Sequence, residues 1–282
     1  MGRSSLGFGE AVAAVSASSL ATRAIPVQAL SFKRAGYVLE RNLLVYKHRW
    51  MVLFSGFFEP VFYLFAARVG LGELVGEVRE AGITDYAAFV APALLAASAM
   101  NGAIYESTMN IFFKLKYEKT YDAMLATPIR PFDIAVGEIS WSLTRGAIYA
   151  SGFLTVMWVM GLLESYLALL ALPATLLIGV AFGAAGMACT TFMRSWQDFD
   201  LVNLAVLVLF LFSATFYPLS VYSPTLGALV QLSPLYHGIV LIRSLTLGTL
   251  GPELLVHIAV LVAMAAVGIR VSSFRLKKLL TP

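Results

Sequence analysis

Charge is scarce in this sequence. Of 282 residues, 13% are Asp, Glu, Lys or Arg and 59% are hydrophobic, and the mean hydropathy is +0.81. Soluble domains carry roughly 25% charged and about 45–50% apolar residues. A soluble fold of this composition would lack the polar surface to cover its core, so the chain reads as an integral membrane protein. Cysteine is almost missing. Cys189 stands alone in an apolar run, which excludes a disulfide framework and a cysteine metal site and leaves it a helix-packing role. The three histidines, His48, His237 and His257, fall in separate segments without ligand spacing, so no metal site is expected. The phosphate loop G-x-x-x-x-G-K-[ST], the zinc motif H-E-x-x-H and the G-x-S-x-G elbow are all absent. ATP binding by the phosphate-loop route is therefore not expected on this chain. The apolar runs hold few ionisable groups, which speaks against an ion-coupled relay. No internal repeat is evident and the charged loop has no second copy, which counts against an inverted-repeat carrier. The net charge of +4 is modest, and no nucleic-acid partner is expected.

What is present is a series of long apolar runs. A bilayer-spanning helix needs roughly 20 mostly apolar residues. Six runs qualify as candidates: Trp50 to Ala67, Tyr86 to Thr108, 139–161, 166–192, Leu201 to Tyr217 and 253–271. The excess of Lys and Arg on cytoplasmic loops orients them. Lys33, Arg34, Arg41, Lys47 and Arg49 precede the first run. Lys114, Lys116, Lys119 and Arg130 follow the second, and SSFRLKKLLTP closes the chain. Acidic residues Glu73, Glu77, Glu80 and Asp85 dominate the first intervening loop. The expected fold is an all-α polytopic membrane protein with six transmembrane helices over 50–271 and both termini in the cytoplasm. Residues 1–27 read as a flexible tail and 272–282 as a basic cytoplasmic one.

Two further segments break the pattern. In 28–49, Phe32, Gly36, Leu39, Leu43 and Tyr46 recur at helical spacing, with Arg34, Glu40 and Arg41 mostly off that stripe. This suits an amphipathic helix in the inner membrane interface; a solvated juxtamembrane linker is the plainer alternative. In 218–252 the apolar runs are too short to span. They suggest short re-entrant half-helices near 224–232 and 235–247 on the external side, either lidding an exit or covering helix ends.

Glu59 lies midway along the first run and precedes Pro60. A charge at that depth costs about 3 kcal/mol on insertion scales and normally faces protein or water. It marks a bend at a water-accessible or subunit-facing position, or a glutamate that packs two helices. Asn101, Tyr105 and Glu106 near the inner end of the second run fall along about one face. With Glu59 and Tyr63 they are candidates for a translocation path, unless they are satisfied at the membrane rim. Gly179, Gly183 and Gly186 allow close helix approach in lipid.

Residues 112–138 carry charges of both signs between apolar runs, with a possible short helix, KLKYEKTYDAMLAT, stopped by Pro128. Leu115, Tyr121, Met124 and Leu125 offer apolar contacts beside Lys116, Glu118, Lys119 and Asp122. That mixture suits docking into a groove on a soluble partner, or a solvated loop with a frayed helix.

The chain resembles the membrane subunit of type-2 ABC exporters, in particular nodulation lipo-oligosaccharide exporter permeases and their actinobacterial drug-export relatives. The residues that carry the resemblance are EPVFYLFAARVGLG (59–72), YAAFVAPALLAASAMNGAIYES (86–107), KTYDAMLATPIRPFDIAVGEISW (119–141) and SPLYHGIVLIRSLTLG (233–248). It covers roughly 30–275. Ala93 stands where close relatives would carry Gly. The resemblance implies two permease copies, a homodimer by expectation, each meeting a cytoplasmic ATP-binding subunit that holds the ATP and Mg, with no cofactor on this chain. It implies that the loop around 114–127 is a coupling helix, with Tyr117, Glu118, Lys119, Thr120, Tyr121 and Asp122 as the contact. The 30–49 helix resembles the family's interfacial connecting helix. The expected function is export of an amphiphile across the plasma membrane. A non-transporting membrane scaffold or immunity protein is the alternative, and an intramembrane enzyme using Glu59 or Glu106 a third.

Overall fold

The structure, a computed structural model, describes residues 32–47, 58, 61–71 and 86–280. Glu59, His48, the tail 1–27 and most of the first expected span lie outside the described residues. Every regular element among the described residues is a helix.

The first helix, α1 (Phe32–Lys47), is the basic amphipathic segment. Its inward face is not the stripe expected from the sequence. Ala35, Val38 and Asn42 are buried, whereas Gly36 and Leu43 are exposed. Small residues at i, i+3 and i+7 let α1 lie close against the bundle, and Tyr37, Leu43, Leu44 and Val45 stay on the outside. α2 (Val61–Gly70) is a short apolar helix that ends in a π turn, Ala67–Leu71.

The central element is α3 (Tyr86–Lys116), a single rod of 31 residues. Its first half, Tyr86 to Ala97, is buried all round. A helix apolar on every side belongs in the middle of a bundle, and its alanines permit close contact with several neighbours. Pro92 sits inside it, where it removes one backbone hydrogen bond. A π turn at Glu106–Asn110 interrupts the α geometry near the far end. Such insertions recur at functional positions because they re-aim side chains.

α4 (Thr120–Leu125) is a short helix. α5 (Pro131–Val159) follows, begun by Pro131 at its first turn and by the Arg130 amide donating to the Asp133 carboxylate at 3.1 Å. Its 29 residues make it about 43 Å long at 1.5 Å per residue, and it begins earlier than the expected span 139–161. α6 (Tyr166–Thr190) opens with a 3₁₀ turn. α7 (Asp198–Leu211) has 14 residues, about 21 Å at that rise, shorter than the expected span. α8 (Pro224–Leu232) and α9 (Pro234–Leu247) lie where the half-helices were expected and bend 87° at Ser233. α10 (Leu254–Leu280) closes the bundle.

Among the described residues, three helices are long and apolar enough to cross a membrane: α3, α6 and the Leu254–Leu276 part of α10. The bent pair α8–α9 adds a fourth if it counts as one span. The fold is thus a polytopic helical membrane protein. α6 holds it together through small residues. Gly183 faces Ala103 of α3, Thr190 donates to the Ser107 carbonyl at 2.9 Å, and Gly268 of α10 lies against the Ala184 backbone. The basic termini of α3 and α10, α1 and α4 gather at one end of the bundle, called the charged end below.

Candidate functional site

At the charged end, α4 is where five helices meet. α3 stops because Tyr117 and Glu118 both donate to the Phe113 carbonyl, at 3.0 and 2.9 Å. Lys119 then takes a left-handed conformation at φ 48°, which turns the chain into α4. A non-glycine residue held there is uncommon. The expected continuous helix across 114–127 is therefore two pieces with a sharp turn between them.

The inner face of α4 is apolar. Tyr121 and Met124 enter a cluster with Val38 of α1, Ile111 of α3, Ile134 and Ala135 of α5, Met187 of α6 and Leu276 of α10. Gly137 makes this possible, because a Cβ there would overlap the Val38 side chain and lie 3.0 Å from the Ala35 carbonyl. The outward side of α4 and of the turn leading into it is mostly polar. Lys116, Tyr117, Glu118, Lys119 and Asp122 are exposed, and Thr120 is half-buried and donates to Glu118 at 3.1 Å. Tyr121, grouped with them on the sequence, is instead 2% exposed. It anchors α4 from behind and does not present its ring to the outside.

Beneath α4 lies a buried polar knot. Lys114 donates to both Glu138 oxygens, at 2.9 and 2.8 Å, and to the Asn42 carbonyl oxygen at 3.3 Å. The Asn42 amide donates to Glu138 at 3.1 Å, and the Tyr121 hydroxyl donates to Glu138 at 3.3 Å. One carboxylate thus binds α1, α3, α4 and α5 together. Burial, and next the Glu138 carboxylate, push the Tyr121 hydroxyl well above the usual phenol range. Lys114, Glu138 and Asn42 were not singled out as site residues from the sequence. One signal was there: Lys114 follows Ile111 by three residues and so shares its inward face, whereas Lys116 does not.

A second pair sits further along α3 and α5. Arg145 donates to Glu106 in a short contact, and to the Tyr149 hydroxyl at 3.2 Å. Asn110 donates to the other Glu106 oxygen at 2.5 Å. The guanidinium also lies over the Tyr46 ring of α1, 5.1 Å from its centroid. Arg145 escaped notice in an apolar run read as close to charge-free. The expected shared face of Asn101, Tyr105 and Glu106 is corrected. Tyr105 is exposed, Asn101 is half-buried and Glu106 turns inward to α5. Adjacent helical positions are about 100° apart, so Tyr105 and Glu106 face different ways. Tyr63 is exposed and lies 6.3 Å from Phe210 of α7, ring to ring.

The charged end also reaches α7. Phe112 of α3 stacks edge-on against Phe199 at 5.3 Å. Asp198 caps the preceding turn by accepting from the Arg194 and Ser195 amides at 2.7 and 3.1 Å. Those amides hold its carboxyl below the usual carboxylate range. On α1, Glu40 is exposed while Arg34 and Arg41 are half-buried. At the opposite end, His237 of α9 and His257 of α10 come together with ring nitrogens 2.6 Å apart, which their separation in sequence concealed. No group of three or more metal-ligating side chains exists among the described residues.

The arrangement has no nucleophile–base pair in its buried knots; its two carboxylates are occupied by cations. What it offers is mechanical: a small helix, polar outside, keyed into the bundle.

Comparison with known proteins bears on what that helix meets. Residues 35–247 match the family model described as ABC-2 type transporter. The chain is 34% identical to Nodulation protein J of Rhizobium leguminosarum bv. trifolii, over 75% of this chain and 80% of that protein. It is 32% identical to Nodulation protein J of Rhizobium leguminosarum bv. viciae, over 86% of this chain and 93% of the relative. For Nodulation protein J of Rhizobium meliloti (strain 1021) the identity is 30%, over 87% and 93% respectively.

Proposed function

The chain belongs to the ABC-2 type transporter family, and we propose that it is the membrane permease of an ATP-driven exporter, with six spans and its charged end in the cytoplasm. The carrying observation is α4. Its outer face is a compact mixed-charge surface, and its inner face is locked to five other helices. A separate ATP-binding subunit docks on Tyr117, Glu118, Lys119, Thr120 and Asp122, with Tyr121 holding the helix from within. ATP and Mg reside on that subunit, two copies of which serve two copies of this chain.

Closure of the ATP-binding subunits pushes α4. Because Tyr121 and Met124 are keyed into the bundle and Lys114–Glu138 joins α1, α3 and α5, the push moves those helices as one body. Phe112 against Phe199 carries it to α7. Rigid-body rocking of this kind is enough for alternating access, provided the partner binds the two conformations differently. α7 supports a paired arrangement, since Leu201, Leu204, Leu207 and Leu211 are exposed along it with Asn203 among them. The cargo in this reading is an amphiphile (a glycolipid, lipo-oligosaccharide or drug) moving along the interface between copies. The outward Tyr37, Leu43, Leu44 and Val45 of α1 suit a helix lying in the inner interface.

The test is co-purification in detergent with the ATP-binding protein encoded beside it, followed by ATPase assays with and without this chain. The expected result is a complex of equal stoichiometry whose ATPase rate depends on this chain. Failure to form a complex with any phosphate-loop partner would remove the reading and leave a membrane scaffold in its place.

A further inference from the structure

Between α3, α5 and α6 lies a narrow cleft, partly open to the surroundings. It runs along α3 from Glu106 to Leu95, about 16 Å at 1.5 Å per residue. Its foot is polar, with Glu106, Arg145, Tyr149 and Ser142. Its upper walls are mostly apolar, with Leu95, Ala99 and Leu176 beside Ser98 and Thr175. A mostly apolar cavity with a few convergent polar groups is the usual form of a ligand site.

Three observations say what fills it. First, glycines line it for space and not for contact. In membrane helices glycine ordinarily lets two backbones approach, as Gly268 does against Ala184. Gly102 and Gly146 line the cleft, and a Cβ on either would meet nothing within 4 Å. Second, the foot adjoins α1, the helix proposed above to lie in the inner interface. Arg145 covers the Tyr46 ring near the end of α1, and Tyr46 packs on Trp141 at 4.9 Å between centroids. Third, the foot carries both signs with capacity to spare. A guanidinium has five N–H donors, Arg145 uses two of them on Glu106 and Tyr149, and its side chain is 18% open. The Glu106 carboxylate accepts from Arg145 and Asn110 and has further lone pairs available.

We propose that the cleft holds one phospholipid with a phosphoethanolamine headgroup, drawn from the leaflet at the charged end. Its phosphate lies on Arg145 and the Tyr149 hydroxyl, its ammonium on Glu106, and one acyl chain along the apolar walls. Arg suits phosphate through its planar fork of donors. The foot is a neutral ion pair, so a purely anionic headgroup would place its charge beside Glu106 uncompensated. A choline headgroup has no N–H to donate to that carboxylate. The inference concerns binding by this chain alone and holds whether or not an ATP-binding partner is found.

The experiment is native mass spectrometry of the delipidated full chain in detergent, titrated with dioleoyl phosphatidylethanolamine, phosphatidylcholine and phosphatidylglycerol. One phosphatidylethanolamine should bind at least tenfold more tightly than either other lipid. Gly146→Leu keeps both charges and fills the open space, and should abolish that preference with unchanged thermal stability. The double variant Glu106→Gln/Arg145→Gln should abolish it as well. Equal binding of the three lipids, preference for another, or a preference that survives Gly146→Leu would overturn the proposal. Free phosphoethanolamine binding as tightly as the lipid would overturn the membrane source.

Discussion

Lys114 donates to both oxygens of Glu138 at 2.9 and 2.8 Å, with side chains only 8% and 2% exposed, joining the end of one helix to the start of another across 24 residues of sequence. Each charge is tolerable there only because of the other. A buried pair adds little net stability when compared with apolar replacements, but removing one partner strands the second charge.

The first prediction follows from that asymmetry. Lys114→Met and Glu138→Gln should each destabilise the protein by about 3–5 kcal/mol. The double variant should recover much of the loss. Thermal unfolding in detergent would show it, and a double variant as unstable as the sum of the singles would contradict the pairing.

Reversing the outer face of α4 tests a different property. Glu118→Lys with Asp122→Lys changes two exposed side chains, and exposed substitutions usually alter stability by no more than about 0.5 kcal/mol. The melting temperature should stay put while stimulation of the ATP-binding subunit by this chain is lost. Coupling at wild-type level in the doubly reversed protein would move the contact off this face.

Tyr121 gives a pH test. Burial raises its hydroxyl in the folded state above the ordinary value of 10.0. For an acid raised on folding, the unfolded chain releases its proton first as pH climbs, so the stabilisation is whole below about 10 and is lost above it. Wild-type protein should lose stability more steeply above that pH than Tyr121→Phe, which keeps the ring and cannot ionise. Parallel profiles would show that the hydroxyl is not sealed in.

Two glycines should respond in opposite ways to alanine. A Cβ on Gly268 would come within 2.7 Å of the Ala184 backbone, whereas one on Gly102 would meet nothing. Gly268→Ala should cost about 1–3 kcal/mol by forcing α6 and α10 apart. Gly102→Ala should be neutral or gain up to about 1 kcal/mol from helix propensity. Chemical or thermal unfolding of the two variants side by side decides it.

Composition and local pattern were enough for the membrane class and for several elements. The half-helices near 224–232 and 235–247 were legible because Ser-Pro pairs begin α8 and α9 and fixed proline geometry suits a first helical turn. The mixed-charge stretch 112–138 stood out because its charges interrupt apolar runs on both sides; Lys116, Glu118, Lys119 and Asp122 of it are exposed around α4, while Lys114 and Glu138 are buried beneath it. Which side of a helix is buried was less legible. α1 has apolar residues on more than one face, so periodicity chose Phe32–Gly36–Leu39–Leu43–Tyr46, while packing against α5 selected the smaller Ala35–Val38–Asn42 face. The pairings were not legible at all. Glu138 is 96 residues from Asn42 and 24 from Lys114, and Arg145 is 39 from Glu106. A run of letters shows that a charge falls within an apolar segment and that burying it is costly. Which opposite charge offsets that cost depends on which helices become neighbours, a matter of small residues at α3, α6 and α10 contacts that carry no charge signal.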